Sequence, residues 1–211
     1  TMAAAGLTFD EAHTSLLTRA IETNRLALAA MGASDIPVHR DWRLNERHYG
    51  ALQGLDKKET TARHGETQTT LWRRSFDVPP PPVESTSPEH PLNDPTYQRL
   101  VRDGLDPSLL PATECLKDVL ERILPYWHDV IRPRLRQGAH VLVTAHGNSL
   151  RALIMHLENI SSADISEFNV PTGVPRKYEF TSEMSVAKVG YLGDPQAIAA
   201  ATDAVARQAS K

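Results

Sequence analysis

The stretch HVLVTAHGNSLRAL, residues 140–153, decides the fold. Its first part, His140 to Ala145, is short, mostly apolar and β-branched, and follows a break at Gln137-Gly138. From Asn148 to Leu157 the pattern is that of a helix. A short apolar strand running straight into a helix suits a buried parallel strand of an α/β protein. In such sheets, sites lie beyond the carboxyl ends of the strands. There a helix start offers unpaired N–H groups and the positive end of its dipole, a ready place for an anion. His146 stands at the strand tip, Gly147 lets backbone approach a ligand closely, and Asn148 is expected to cap the helix. On these residues alone, His146 is either a ligand-facing imidazole or a hydrogen-bonded turn residue.

Upstream, Leu116, Val119, Leu120, Ile123, Leu124 and Trp127 repeat at helical spacing, which predicts an amphipathic helix over Thr113 to Ile131. Pro125 should bend it and Pro133 should help end it. The run Pro79 to Pro82 opens a polar surface excursion that lasts to about Pro95. Thr67 to Phe76 reads as helix, and Asp56 as the cap of a helix before it. Near the start, Phe9 to His13 and Ile36 to His39 read as short strands. Between them Ser15 should cap a helix that places Leu17, Ile21, Leu28 and Met31 on one face and closes at Gly32. Lys177 to Phe180 and Ser185 to Val189 are late strands, and Asp194 caps an alanine-rich terminal helix. The fold class is therefore α/β, helices on a mostly parallel sheet, in a single domain over residues 1–211.

The chain has 211 residues, is 40% hydrophobic and 23% charged, and carries a net charge of −3. That balance argues against a nucleic-acid or anionic-membrane partner. The single cysteine, Cys115, excludes an internal disulfide framework and suits a reducing, cytoplasmic setting. No apolar run approaches the roughly 20 residues of a membrane span, and no cluster has metal-ligand spacing. Cations nevertheless crowd locally. RLNERHYGALQG, residues 43–54, is followed by Lys57, and Trp72 precedes Arg73 and Arg74. Arg47 and Lys57 suit phosphate or carboxylate oxygens, and Glu46 among them suits proton donation and acceptance. The same residues also fit a solvated salt-bridge cluster. Arg19 sits at a helix start, against the preference for first-turn anions.

These stretches resemble the cofactor-dependent phosphoglycerate mutases of the histidine phosphatase superfamily. TSLLTRAIET (14–23), RLNERHYGALQG, WRRSFDVPPPP (72–82), TAHGNSLRAL (144–153) and EFNVPTGVP (167–175) follow the family's order and spacing. The resemblance implies a three-layer α/β/α sandwich around a mainly parallel sheet. It implies interconversion of 3-phosphoglycerate and 2-phosphoglycerate through a phosphohistidine, primed by 2,3-bisphosphoglycerate and without a metal. It also implies a homo-oligomer, dimer or tetramer. Glu46 matches the family's proton donor and acceptor, and His146 the second active-site histidine. Arg19, Arg47, His48, Tyr49, Lys57, Arg73, Arg74, Gly147 and Asn148 match substrate-binding positions. The alternative activity is none: a phosphoglycerate-binding fragment or pseudoenzyme that lacks a nucleophile.

One family feature has no counterpart. The family opens with an apolar strand running into Arg-His-Gly-Glu, whose histidine is the nucleophile, and this chain begins only shortly before TSLLTRA. The expectation is an amino-terminally incomplete domain whose absent strand lies beside the one ending at His146. Its removal would leave a gap of about 10 Å between the strands on either side. Arg63-His64-Gly65-Glu66 has the same letters, yet it follows the polar helical stretch Glu59 to Ala62 instead of an apolar strand. His64 is therefore not assigned as the nucleophile.

Overall fold

The computed structural model describes residues 1–210, the side chains of Lys57 and of residues 208–210 excepted. The chain gathers into two compact units, Thr1–Glu46 with Leu120–Ser210, and Arg47–Val119.

The first unit is built on a parallel sheet of β1 (Glu11–Thr14), β2 (Val38–Arg40) and β3 (Val141–Thr144), in the order β2-β1-β3. Ala12 pairs with Val38 on one side and Leu142 on the other. The α/β class with a parallel sheet is thus the observed architecture. Helix α1 (Thr18–Ala30) packs on β1 and β3 and buries Ala20, Asn24 and Leu28. Its first turn departs from expectation: Leu17, not Ser15, is the cap residue, and it makes no side-chain cap bond. The Ser15 hydroxyl is engaged elsewhere. β4 (Arg176–Phe180) and β5 (Val186–Tyr191) form a separate antiparallel pair. Helix α8 (Pro195–Ser210) follows, its start held by Asp194 Oδ1 accepting the Ala197 N–H at 2.9 Å.

The central strand β1 is wholly buried although Glu11, His13 and Thr14 are polar. Each has partners, as buried polar groups must. His13 Nδ1 lies 2.7 Å from the Tyr126 hydroxyl and Nε2 lies 3.1 Å from Glu11 Oε1. Arg134 Nε donates to Glu11 Oε2 at 2.8 Å, and Thr14 Oγ1 donates to Thr144 O at 2.8 Å. The apolar β3 was expected to be buried, yet all four of its residues are only half-buried. Among the described residues it has a strand on one side only.

The amphipathic run predicted for Thr113 to Ile131 is helix α5 (Leu116–Tyr126), continued by a π turn over Trp127–Ile131 and by α6 (Arg132–Arg136). Pro125 lies inside α5. It offers no N–H and crowds the carbonyl four residues back, which accounts for the widened turn that follows. Pro133 does not end the run as expected. It sits at the second position of α6, directly after the π turn, and the helical run continues past it to Arg136. Gly138, at φ +87°, follows the helix instead.

The second unit holds α2 (Lys57–His64), α3 (Glu66–Arg74) and α4 (Pro95–Arg102). Asp56 caps α2 as expected, Oδ1 accepting the Lys58 N–H at 2.7 Å. The excursion after the proline run is tied down more firmly than its composition suggests. Asn93 Nδ2 donates to Ser85 O and Ser87 O, and His90 is buried with Nδ1 accepting the Leu92 N–H. At the start of α5, Cys115 is buried and a single oxygen, Asp118 Oδ2, accepts both its N–H (2.7 Å) and its thiol (3.0 Å). Burial pushes that thiol up to about 11. No helix among the described residues is long and apolar enough to cross a membrane.

Candidate active site

Strand β3 delivers Ala145 and His146 to helix α7 (Gly147–Glu158). His146, not Asn148, is the cap residue: its N–H donates to Ser149 Oγ at 3.0 Å and its carbonyl accepts the Leu150 N–H at 2.8 Å. The imidazole is buried and both of its nitrogens are occupied. Arg19 Nε donates to Nδ1 at 3.1 Å, and Nε2 lies 2.7 Å from Ser15 Oγ. A guanidinium N–H can only donate, so Nδ1 is the acceptor and the neutral ring carries its proton on Nε2. Nε2 then donates to Ser15 Oγ, which also accepts the Leu17 N–H at 3.1 Å. In this state His146 has no lone pair facing Ser15, so it does not activate that hydroxyl as a general base. Burial, then the charges of Arg19 and Arg122, push the His146 pKa down to about 4.

The misplaced cation of α1 thereby finds its use. Arg19 accepts an unfavourable helix end and fixes the tautomer of His146.

Glu46 closes this group. Its Oε1 accepts the Asn148 N–H at 3.2 Å, so a carboxylate of the protein itself sits at the amino terminus of α7. Gly147 stands beside it; a Cβ there would meet Glu46 Oε2 at 4.0 Å, an ordinary contact. Asn148 Oδ1 accepts from Arg151 Nη2 at 3.0 Å. The first unit therefore brings together Ser15, Arg19, Glu46, His146 and Asn148, of which Ser15 reads from the sequence only as a helix cap.

The second unit assembles its own cationic group. Arg47 is 1% exposed, and its guanidinium lies 4.3 Å from the Tyr49 ring centroid. Arg73 lies 5.5 Å from the same ring, and Arg47 Nη2 donates to Arg73 O at 3.3 Å. Among the described residues the buried Arg73 Nε has no hydrogen-bond partner, and burial first, with Arg47 as like charge, pulls the Arg73 pKa down. Two guanidiniums on one aromatic ring, one with an unused donor, suit a phosphate or carboxylate. Arg74 is half-buried at the end of α3. The Lys57 side chain lies outside the described residues.

His48 is placed differently. Its Nδ1 accepts the Gly50 N–H at 3.1 Å and its Nε2 donates to Glu89 O at 3.0 Å, so both ring nitrogens hold backbone. The His48 N–H donates to Glu114 Oε2, and the Glu114 N–H donates to His48 O. His64 ends the polar helix α2, is exposed, and lies edge-on to Trp72.

The family model described as the histidine phosphatase superfamily, branch 1, matches residues 2–90 and 92–189 of this chain. Among solved structures the chain is similar to Bacillus stearothermophilus YhfR, with a TM-score of 0.62 and 20% identity, covering 92% of this chain and 79% of that one. The alpha-ribazole phosphatase from Shigella flexneri gives a TM-score of 0.57 at 19% identity, covering 88% and 74%. Phosphoglycerate mutase from Bacillus anthracis str. Sterne gives 0.54 at 19% identity, covering 95% and 79%. At these identities the structural likeness establishes a shared fold.

Proposed function

Because the chain belongs to the histidine phosphatase superfamily, branch 1, we propose that it acts on small phosphorylated acids, as a phosphoglycerate mutase interconverting 3-phosphoglycerate and 2-phosphoglycerate. The observation that carries this reading is the seat of Glu46. A carboxylate placed at a helix amino terminus, close in the chain fold to a neutral, oriented imidazole, is suited to exchange a proton with a substrate hydroxyl. The RLNERHYGALQG resemblance, specific to the mutases within the superfamily, supports the finer assignment.

Each group has a defined role. His146, with Nε2–H as donor, offers a fixed hydrogen bond to phosphoryl oxygens once Ser15 yields its place. Arg19 keeps that ring in one tautomer. Arg47 and Arg73, against Tyr49, suit phosphate or carboxylate oxygens, which also fits the anionic groups of 2,3-bisphosphoglycerate. When bound, that primer would supply the phosphoryl group that cycles, and its acceptor would be the family's nucleophilic histidine, a role that none of the residues assigned here takes.

The test is phosphorus NMR of the purified chain with 3-phosphoglycerate and catalytic 2,3-bisphosphoglycerate. With a phosphoryl-accepting histidine supplied ahead of TSLLTRA, as in the family, growth of a 2-phosphoglycerate signal is the expected result. Release of inorganic phosphate alone would replace the mutase by a phosphatase, and an unchanged spectrum with measurable binding would reduce the chain to a phosphoglycerate-binding protein.

A further inference from the structure

The loop that carries Glu46 has no regular secondary structure beyond one 3-10 turn, Trp42–Leu44, so its backbone carbonyls must find partners elsewhere. One side chain supplies three of them. Arg122, on α5, donates Nη1 to Arg43 O at 2.5 Å, and Nη2 to Asn45 O at 2.9 Å and Glu46 O at 3.3 Å. On the other flank, Asn45 Oδ1 accepts the Leu16 N–H at 2.8 Å, which ties the same loop to the turn bearing Ser15. Asn45 itself is buried. The carboxylate of Glu46 then meets the Asn148 N–H.

We propose that Arg122 is a positioning residue, whose grip on the carbonyls of Arg43, Asn45 and Glu46 sets where the Glu46 carboxylate meets the amino terminus of α7. Its kinetic consequence rests on the function proposed above; its structural consequence does not. The planar guanidinium matters here, because two nitrogens of one rigid fork hold three carbonyls, and an ammonium on a flexible stem presents its donors from a single atom. The same charge also reaches His146, where it adds to the effects of burial and of Arg19. Arg122 thus bears on both the carboxylate and the imidazole without being either.

A mere strut for the loop would have the same bonds, so the test must read the carboxylate's position. Amide hydrogen exchange of Asn148 does so, since its N–H is accepted by Glu46, whereas the neighbouring Leu150 N–H is accepted by the His146 carbonyl. In R122M, Asn148 exchange should rise about 10-fold or more relative to Leu150, and the His146 titration should move upward. R122K should recover the charge effect on His146 and only a fraction of the Asn148 protection. In turnover of 3-phosphoglycerate, kcat should fall about 100-fold in R122M with KM little changed, the pattern of lost alignment.

Unchanged Asn148 exchange overturns the proposal. So does a rise at Asn148 and Leu150 together with a lowered Tm, which marks a strut. If R122M does not fold, the Asn148-to-Leu150 ratio in R122K decides by the same criterion. Absence of turnover even with a phosphoryl-accepting histidine supplied removes the proposed function and leaves the exchange ratio to judge Arg122.

Discussion

At the scale of single residues, the placement of protons matters more than the number of charges. Glu46→Gln keeps an oxygen that accepts the Asn148 N–H but has no titrating proton. Turnover should drop by about 100- to 10,000-fold, the usual range for a lost general acid–base, with substrate affinity largely retained. Steady-state kinetics decide it: an unchanged kcat removes the proton-transfer role. Arg19→Met removes both the donor to Nδ1 and a repelling charge. The His146 pKa should rise from about 4, and the ring should sample both tautomers, as followed by imidazole nitrogen shifts in NMR. The sequence made Arg19 visible through its awkward helix position. It did not reveal Ser15, which read equally well as a cap, nor Arg122, whose place on the polar side of an amphipathic helix looks like any solvated arginine.

At the scale of elements, the strand-to-helix passage at His146 was legible because a short apolar run and a helical pattern meet there without an intervening loop. The Asp56 and Asp194 caps were legible for the same local reason. Pro133 misled because one residue type both ends helices and begins them, and only the neighbouring turn says which. The loop holding Glu46 and Arg47 leads into a turn that depends on Gly50. That residue has φ +58°, and a Cβ there would lie 2.1 Å from Pro81 O. Gly50→Ala combines backbone strain with a collision against backbone, so it should cost about 2–4 kcal/mol and lower the urea midpoint. A loss below about 0.5 kcal/mol, the range of ordinary surface changes, would show that the proline run yields easily.

At the scale of the whole molecule, the parallel sheet was expected, but not its polar centre. Glu11, His13 and Thr14 give β1 no apolar alternation, and their burial follows from partners more than a hundred residues away, such as Tyr126 and Arg134. Local pattern cannot report such pairing. It has a measurable effect on acid stability. His13 and His146 both have pKa values lowered in the fold, chiefly by burial. Between the unfolded value of about 6.5 and the lowered folded values, the unfolded chain binds more protons. Stability from these two groups is therefore complete above about pH 6.5 and is lost as pH falls below it. Urea unfolding at pH 7.5 and pH 5 should show a lower midpoint at pH 5, and His13→Gln should flatten the dependence. Equal midpoints would contradict the sign argued here.

The cysteine at the start of α5 offers a different kind of readout. Its thiol is buried, shares the Asp118 carboxylate with its own N–H, and holds its proton to about pH 11. Alkylating reagents attack the thiolate, so at neutral pH the intact chain offers them almost nothing. Modification then waits for the first turn of that helix to open, which makes the chain's one sulfhydryl a built-in stopwatch for local breathing. Labelling rates measured with and without 3-phosphoglycerate would time that opening in the native chain, without a dye or an engineered probe.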